Sequence, residues 1–113
     1  MYGIMLVLEP NGTIKQQELT RKPDLDVIVK EVGGHHVQTI KGFNSIEFEG
    51  ATYRCLALCD ADGKTKGMRT NIEATKAWHA ALRAKGDPGL VGETGVTDLL
   101  AGPVVVLLGG REE

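Results

Sequence analysis

LCDADGKTKGMRTNIEATKAWHAAL, residues 58–82, contains the strongest structural signals in this chain. It runs from the apolar end of a strand through an acidic turn into an amphipathic helix. Thr70 and Glu73 have capping-box spacing, in which the threonine hydroxyl accepts from the third helical amide, so we expect the helix to begin at Thr70. Asp62 and Gly63 predict a tight turn because glycine tolerates positive φ. The apolar helix face consists of Ala74, Ala77, Trp78, Ala81 and Leu82.

The first third of the chain predicts a hairpin followed by a short helix. Residues 2–8 and 13–19 are the two expected strands, and the second should lie at a sheet edge because its apolar residues are sparse. Pro23 is expected at the first helical position, and Gly33 with Gly34 ends the helix. Asp24 and Asp26 form the acidic first turn of this helix. Its apolar stripe consists of Leu25, Ile28, Val29 and Val32.

The remaining segments predict the sheet. After His36 the apolar pattern changes to period two, which predicts a meander of short antiparallel strands up to Cys59. The run PVVVLL at 103–108 lacks polar alternation, so we expect a buried strand at the centre of the sheet. The prediction is one α+β domain over residues 1–113 with two helices and a mostly antiparallel sheet, a mixed sheet remaining open. Repeated glycines predict a mobile loop over residues 86–98.

Composition excludes several classes of function. The chain has 13 basic and 15 acidic residues and a net charge of −2, without a long run of like charges. This argues against direct nucleic-acid binding and against a DNA mimic. The apolar run at residues 4–8 is too short to span a membrane and lacks the basic start of a signal peptide. We therefore expect neither a nucleic-acid nor a membrane partner.

The two cysteines, Cys55 and Cys59, lie four residues apart in an expected strand. At ~3.3 Å per residue their Cα atoms should lie ~13 Å apart. A disulfide needs less than ~7 Å, and the same separation prevents both thiols from binding one zinc ion. The spacing predicts reduced, structural thiols of an intracellular protein.

Known catalytic motifs are incomplete in this sequence. Lys64 and Thr65 follow a glycine as at the end of a phosphate-binding loop, but Leu58 stands where the first glycine is required. The histidines His35 and His36 point to opposite faces if they enter a strand, so they do not chelate one metal by themselves. The sequence predicts neither a metal nor a cofactor, and no catalytic residues.

The residues most suited to binding lie at or near the second helix and at His35 and His36. Helix N-termini attract anions, so Arg69, Thr70 and Asn71 could form a pocket with the glycine-rich segment. Trp78 fits the core best, with an interface edge as its alternative. The candidate binding residues are therefore Arg69, Thr70, Asn71, Trp78, His35 and His36.

Three segments in order resemble a known family. They are VGGHHVQTI at 32–40, LCDADGKTKGMRTN at 58–71 with Ala74 and Thr75 after it, and LAGPVVVLL at 100–108. This combination resembles domain of unknown function thirty-eight forty-six, small proteins encoded largely by bacteriophages, plasmids and other bacterial mobile elements. The family often has Asn-Glu where Cys59 and Asp60 stand here.

The resemblance implies a setting rather than a chemistry, because the family brings no established activity, cofactor or catalytic residue. The setting is the cytoplasm of an infected or plasmid-bearing bacterium. We expect a non-enzymatic accessory protein that binds and modulates a host macromolecule, a host protein in particular. Two alternatives remain open, namely a sequestering protein for a small anionic ligand such as a nucleotide signal, and an enzyme of unrecognised class. A homo-oligomer also remains open.

Overall fold

Six antiparallel strands of the described residues form one sheet, and two helices accompany it. The computed structural model describes residues 3–85 and 99–111, so the loop predicted at 86–98 lies outside these ranges. The elements are β1 Gly3–Leu8, β2 Ile14–Leu19, α1 Leu25–Val32, β3 Val37–Thr39, β4 Ser45–Phe48, β5 Ala51–Asp60, α2 Ile72–Lys85 and β6 Val104–Arg111. The α+β prediction is confirmed, and the open question of a mixed sheet is settled because all the strand pairs are antiparallel.

The last strand, β6, lies at the centre of the sheet as predicted. The strand order is β2-β1-β6-β5-β3, and β4 also pairs with β5. The side chains of Val104, Val105 and Val106 are fully buried although they alternate between the two faces. A strand covered on both sides has no position for a polar residue, which explains the uniform apolar run.

The first hairpin also agrees with its prediction. Gly12 donates its amide to the Glu9 carbonyl at 3.0 Å, and the Glu9 amide donates to the Thr13 carbonyl at 2.8 Å. Gly12 has φ 92°, so this is a three-residue turn with a glycine bulge. β2 is an edge strand, and five of its six residues are exposed.

The predicted meander is only partly correct. β3 and β4 do not pair with each other; both pair with β5, one after the other along the same edge. The ten residues of β5 provide room for two short partners. Between them the chain turns inward, because Ile40 and Phe43 are buried in the core. Because these two side chains enter the core, the chain leaves the sheet edge between β3 and β4, and the simple meander is interrupted there.

The helices cover opposite faces of the sheet. The predicted apolar face of α2 is confirmed, with Ala74, Trp78, Ala81 and Leu82 buried. α1 packs Ile28 and Val32 on the other face, against a cluster that includes Met5, Val7, Leu58 and Val105.

The predicted start of α1 is wrong by two residues. Asp24 is the N-cap, so Pro23 precedes the helix instead of opening it. The predicted stripe is also shorter than expected, because Leu25 is 65% exposed. Gly33 ends the helix in the left-handed conformation, as predicted.

Candidate functional site

The three segments of the resemblance meet at one corner of the sheet, where β5 ends. We call residues 33–36, 60–69 and 100–102 the β5 corner. Its first segment reaches the second through the His36 carbonyl, which accepts from the Ala61 amide at 2.7 Å. The second reaches the third through the Gly102 amide, which donates to the Arg69 carbonyl at 2.8 Å. The ordered motifs are therefore parts of one tertiary structure.

A buried carboxylate lies at the centre of the β5 corner. The side chain of Asp60 is 1% exposed, and Lys66 Nζ donates to its Oδ2 at 2.6 Å. The amide of Asp62 donates to its Oδ1 at 2.8 Å. The Lys66 hydrogen bond, then the Asp62 amide, lower the pKa of Asp60. Contacts within the β5 corner hold this carboxylate as an anion. They explain its burial as a structural feature of the corner.

Glycines in the corner are needed for close approach. A Cβ on Gly34 would collide with the Asp60 carboxylate and would lie 2.6 Å from Lys66 Nζ. A Cβ on Gly63 would lie 3.0 Å from the Ala101 carbonyl oxygen. The expected turn at Gly63 is present, but the positive φ lies at Gly67, with φ 73°. Gly63 is therefore required by packing, which corrects the reason given from the sequence.

Asn71, rather than Thr70, caps α2. Its Oδ1 accepts from the Ala74 amide at 3.0 Å, the N3 position of a helix that begins at Ile72. Its Nδ2 donates to the carbonyls of Leu8 at 2.7 Å and Gly102 at 2.9 Å. Asn71 is fully buried, so this candidate binding residue is committed to the fold.

The predicted capping box at Thr70 and Glu73 is wrong. Thr70 is exposed and forms an isolated β-bridge with Ala101, which holds it in extended conformation one residue before the cap. Glu73 lies on the exposed surface, 3.8 Å from Lys76. Threonine and asparagine both favour the N-cap, and the tertiary carbonyls available to an amide side chain determined which of them took it.

The two histidines are exposed, and one of them has a partner that sequence reasoning missed. His36 Nδ1 lies 2.6 Å from Asp62 Oδ2. The pairing of β3 with β5 sets Val37 opposite Asp60, and this register brings the residues beyond both strand ends together. The alignment of β3 with β5 is the only signal from which the His36–Asp62 contact could have been predicted. Among the described residues, no cluster of three or more potential metal ligands occurs.

Trp78 belongs to the core, the first of its two predicted environments. It is buried, and its Nε1 donates to the Lys41 carbonyl at 2.9 Å. Arg69 and Thr70 are exposed, whereas the buried side chains of Asn71 and Trp78 are hydrogen-bonded to backbone carbonyls within the fold. The six candidate binding residues therefore do not form one site.

A different surface has the shape of a binding site. α1 has eight residues, and part of the sheet face on which it packs remains open. The opening there is a cleft of about 280 Å³. Gly3 and Gly109 contribute no side chains to it, and Leu56 is 45% exposed beside it. We call this the α1-face cleft, and its side-chain lining is mainly Leu19, Pro23, Leu56 and Leu107.

Comparisons of the chain with protein-family models, curated proteins and solved structures find no match. The resemblance to domain of unknown function thirty-eight forty-six therefore stays a prediction. None of the helices in the described ranges is long and apolar enough to cross a membrane.

Proposed function

We propose that this protein is a non-enzymatic accessory protein of a phage or other mobile element, and that it binds and modulates a host protein through the α1-face cleft. The observation that carries the proposal is the exposed Leu56 beside an apolar opening that α1 is too short to cover. Exposed apolar patches with polar surroundings are typical of interaction surfaces.

The cleft suits one or two apolar side chains of a partner. Leu56 and Leu107 lie opposite each other in the register of β5 and β6, so they present adjacent apolar surface. Full burial of a leucine side chain stabilises a complex by roughly 1.5–3 kcal/mol. A cleft of this kind can therefore supply the anchor of an interface, although other contacts have to supply the rest.

Basic residues flank the cleft. Arg54 lies two residues before Leu56 on β5, where the pairing with β6 is irregular, and its Cβ would lie 3.8 Å from a Cβ placed on Gly109 of the cleft. Lys22 precedes Pro23, and both basic side chains are exposed. The acidic residues nearby are Glu47, on the adjoining part of β4 opposite Thr52, and Asp24, whose carboxylate lies 3.9 Å from the Arg21 guanidinium. The excess of basic over acidic residues near the cleft favours a host segment that carries an apolar anchor followed by acidic residues.

The two alternatives receive different support. A small anion at the start of α2 would have to compete with Asn71, whose side chain already occupies that position. The enzyme alternative gains the His36–Asp62 pair, because a carboxylate can orient an imidazole for proton transfer. Both of these side chains are solvent-exposed, whereas acid–base catalysis favours a site that excludes water.

The test is capture of host protein from a bacterial lysate with matched surface variants. Leu56→Asp should lose the captured protein, whereas Ile72→Asp, which changes a residue 59% exposed on α2, should retain it. Arg54→Glu should weaken capture, and added salt should weaken it for the parent. A synthetic peptide of the captured protein with an acidic, apolar segment should compete. Capture that is indifferent to Leu56→Asp and Arg54→Glu, or nucleotide binding by calorimetry without capture, would overturn the proposal.

A further inference from the structure

The outer edge of β2 carries backbone hydrogen-bonding groups that pair with no other strand in the described part of the chain. Within the described ranges, β2 has one neighbouring strand, β1. Their pairing is continuous from Leu8 opposite Ile14 to Gly3 opposite Leu19, without a register shift. An unpaired edge of this length can accept another strand.

The hydrogen bond at the turn determines which groups point outward. Because the Glu9 amide donates to the Thr13 carbonyl, residues 9 and 13 form a hydrogen-bonded pair. Bonded and non-bonded pairs alternate along antiparallel strands, so Lys15, Gln17 and Leu19 also face β1 with their backbone groups. The N–H and C=O groups of Ile14, Gln16 and Glu18 therefore point away from the sheet.

Few of the features that protect edge strands are present in β2. The strand has no proline and no bulge within it. Its lysine, Lys15, is held by Glu31 at 3.1 Å and Glu9 at 3.3 Å. Lysine and proline are common guards of natural sheet edges. Here the lysine is engaged on the α1 face of the sheet, where Glu31 lies.

We propose that β2 pairs with β2 of a second copy of this chain, antiparallel across a twofold axis near Gln17, to join the two sheets. A twofold axis normal to the sheet keeps each face on the same side, so opposed residues have numbers of equal parity. Centring on Lys15 or Glu18 would oppose like charges, which destabilises a sheet. Centring on Gln16 would set Ile14 opposite Glu18.

Among the registers centred on residues 15–18, the Gln17-centred one is the most complementary. It places Gln16 opposite Glu18 of the second copy, where an amide can donate to a carboxylate. It places Ile14 opposite Thr20, a pair of β-branched side chains. The outward groups of Gln16 and Glu18 then meet as a hydrogen-bonded pair, which is the arrangement that their direction requires. This inference uses a different surface from the α1-face cleft and stands independently of the proposed function.

The experiment measures molecular mass against concentration, by light scattering or sedimentation. We expect a dimer of twice the 12.1 kDa chain mass to form as concentration rises. Gln16→Pro removes one outward N–H without removing a bond to β1, so it should weaken dimerisation at least about tenfold. Gln16→Ala keeps that N–H and should have a smaller effect. Leu56→Asp should leave the dimer unchanged.

Disulfide trapping provides a second measurement that does not depend on the proline variant folding. On mild oxidation Gln17→Cys should form a dimer linked across the axis, because opposed residues of a non-bonded pair have Cα atoms ~4.5 Å apart. Gln16→Cys should link much less. A monomer at all concentrations, or a dimer unaffected by Gln16→Pro and untrapped by Gln17→Cys, would overturn the proposal. The proposal would also be overturned if the protein is a monomer and its capture of a host protein requires the Gln16 N–H. In that case a strand of the host protein would occupy this edge.

Discussion

Asn71 Nδ2 donates a hydrogen bond of 2.7 Å to the carbonyl oxygen of Leu8, 63 residues earlier in the chain. The bond joins the start of α2 to the end of β1. The same side chain caps the helix and binds the Gly102 carbonyl before β6. One buried amide therefore fixes the position of a helix relative to two strands.

Replacing Asn71 should be the most damaging change at the start of α2. Asn71→Ala removes the cap, typically worth ~1 kcal/mol, and takes a donor from two buried carbonyls. We expect a loss of about 2–4 kcal/mol in the free energy of unfolding, measured by urea denaturation. Asn71→Asp keeps the cap acceptor but sets a carboxylate oxygen against the carbonyl oxygens of Leu8 and Gly102, so it should destabilise at least as much as Asn71→Ala.

The matched control is the double variant Thr70→Ala, Glu73→Ala. Both side chains are exposed, so its free energy of unfolding should stay within about 0.5 kcal/mol of the parent. Equal losses in the Asn71 variant and the double variant would place the helix start at Thr70 after all.

Stability should fall in acid partly through Asp60. Its pKa is lowered in the folded state by Lys66, so the stabilisation is fully present above the unfolded pKa of ~3.9. It is lost as pH falls through the lower folded pKa. Asp60→Ala should therefore lower the free energy of unfolding at pH 7 by about 1–3 kcal/mol.

The pH profile distinguishes this origin from general damage. The difference between the parent and Asp60→Ala should shrink as pH falls below about 4, measured by chemical denaturation at each pH. A difference that is constant between pH 7 and pH 3 would show that the carboxylate charge is not what stabilises the corner.

Gly34 should be energetically coupled to Asp60. Gly34→Ala places a methyl group against the carboxylate and Lys66, and overpacking of this kind costs about 1–3 kcal/mol. In the Asp60→Ala background the carboxylate is gone and Lys66, released from it, can move away, so a double-mutant cycle should give a coupling energy above about 0.5 kcal/mol. Gly67→Ala is the control, because its Cβ would meet no atom within 4 Å and its cost comes from positive φ alone. Additive costs for Gly34 and Asp60 would refute the close approach.

The two cysteines should differ in their reactivity. Burial raises the pKa of the Cys59 thiol, so less thiolate is available at neutral pH. Cys55 is only partly buried. Thiol reagents should label Cys55 first in the folded protein, and labelling of single Cys55→Ser and Cys59→Ser variants by mass spectrometry tests this order. Faster labelling of Cys59 would mean that β5 opens locally.

Much of the fold could be predicted because its signals are local. The uniform apolar run of β6 indicated burial on both faces, and the sparse apolar residues of β2 indicated an edge. The path of residues 40–44 could not be predicted, because it depends on Ile40 and Phe43 reaching the core from a loop. Short apolar segments look alike whether they extend a strand or fold inward.

The candidate sites were less accessible from the sequence. Whether Thr70 or Asn71 caps the helix depends on carbonyls of Leu8 and Gly102, which are distant in the chain. The α1-face cleft arises from the length of α1 and from glycines on two different strands. Such features are properties of the assembled sheet, and no single segment carries a pattern for them.

The central position of β6 has a consequence for synthesis of the protein on the ribosome. β1 and β5 each require β6 as a neighbour, yet residues 104–111 are the last of the sheet to be translated. Until then the nascent chain holds two interior strands with open edges, and their closure requires long-range pairing, which is slow. The growing polypeptide therefore passes through a period in which the apolar strands β1 and β5 are accessible to chaperones and proteases of the translating cell.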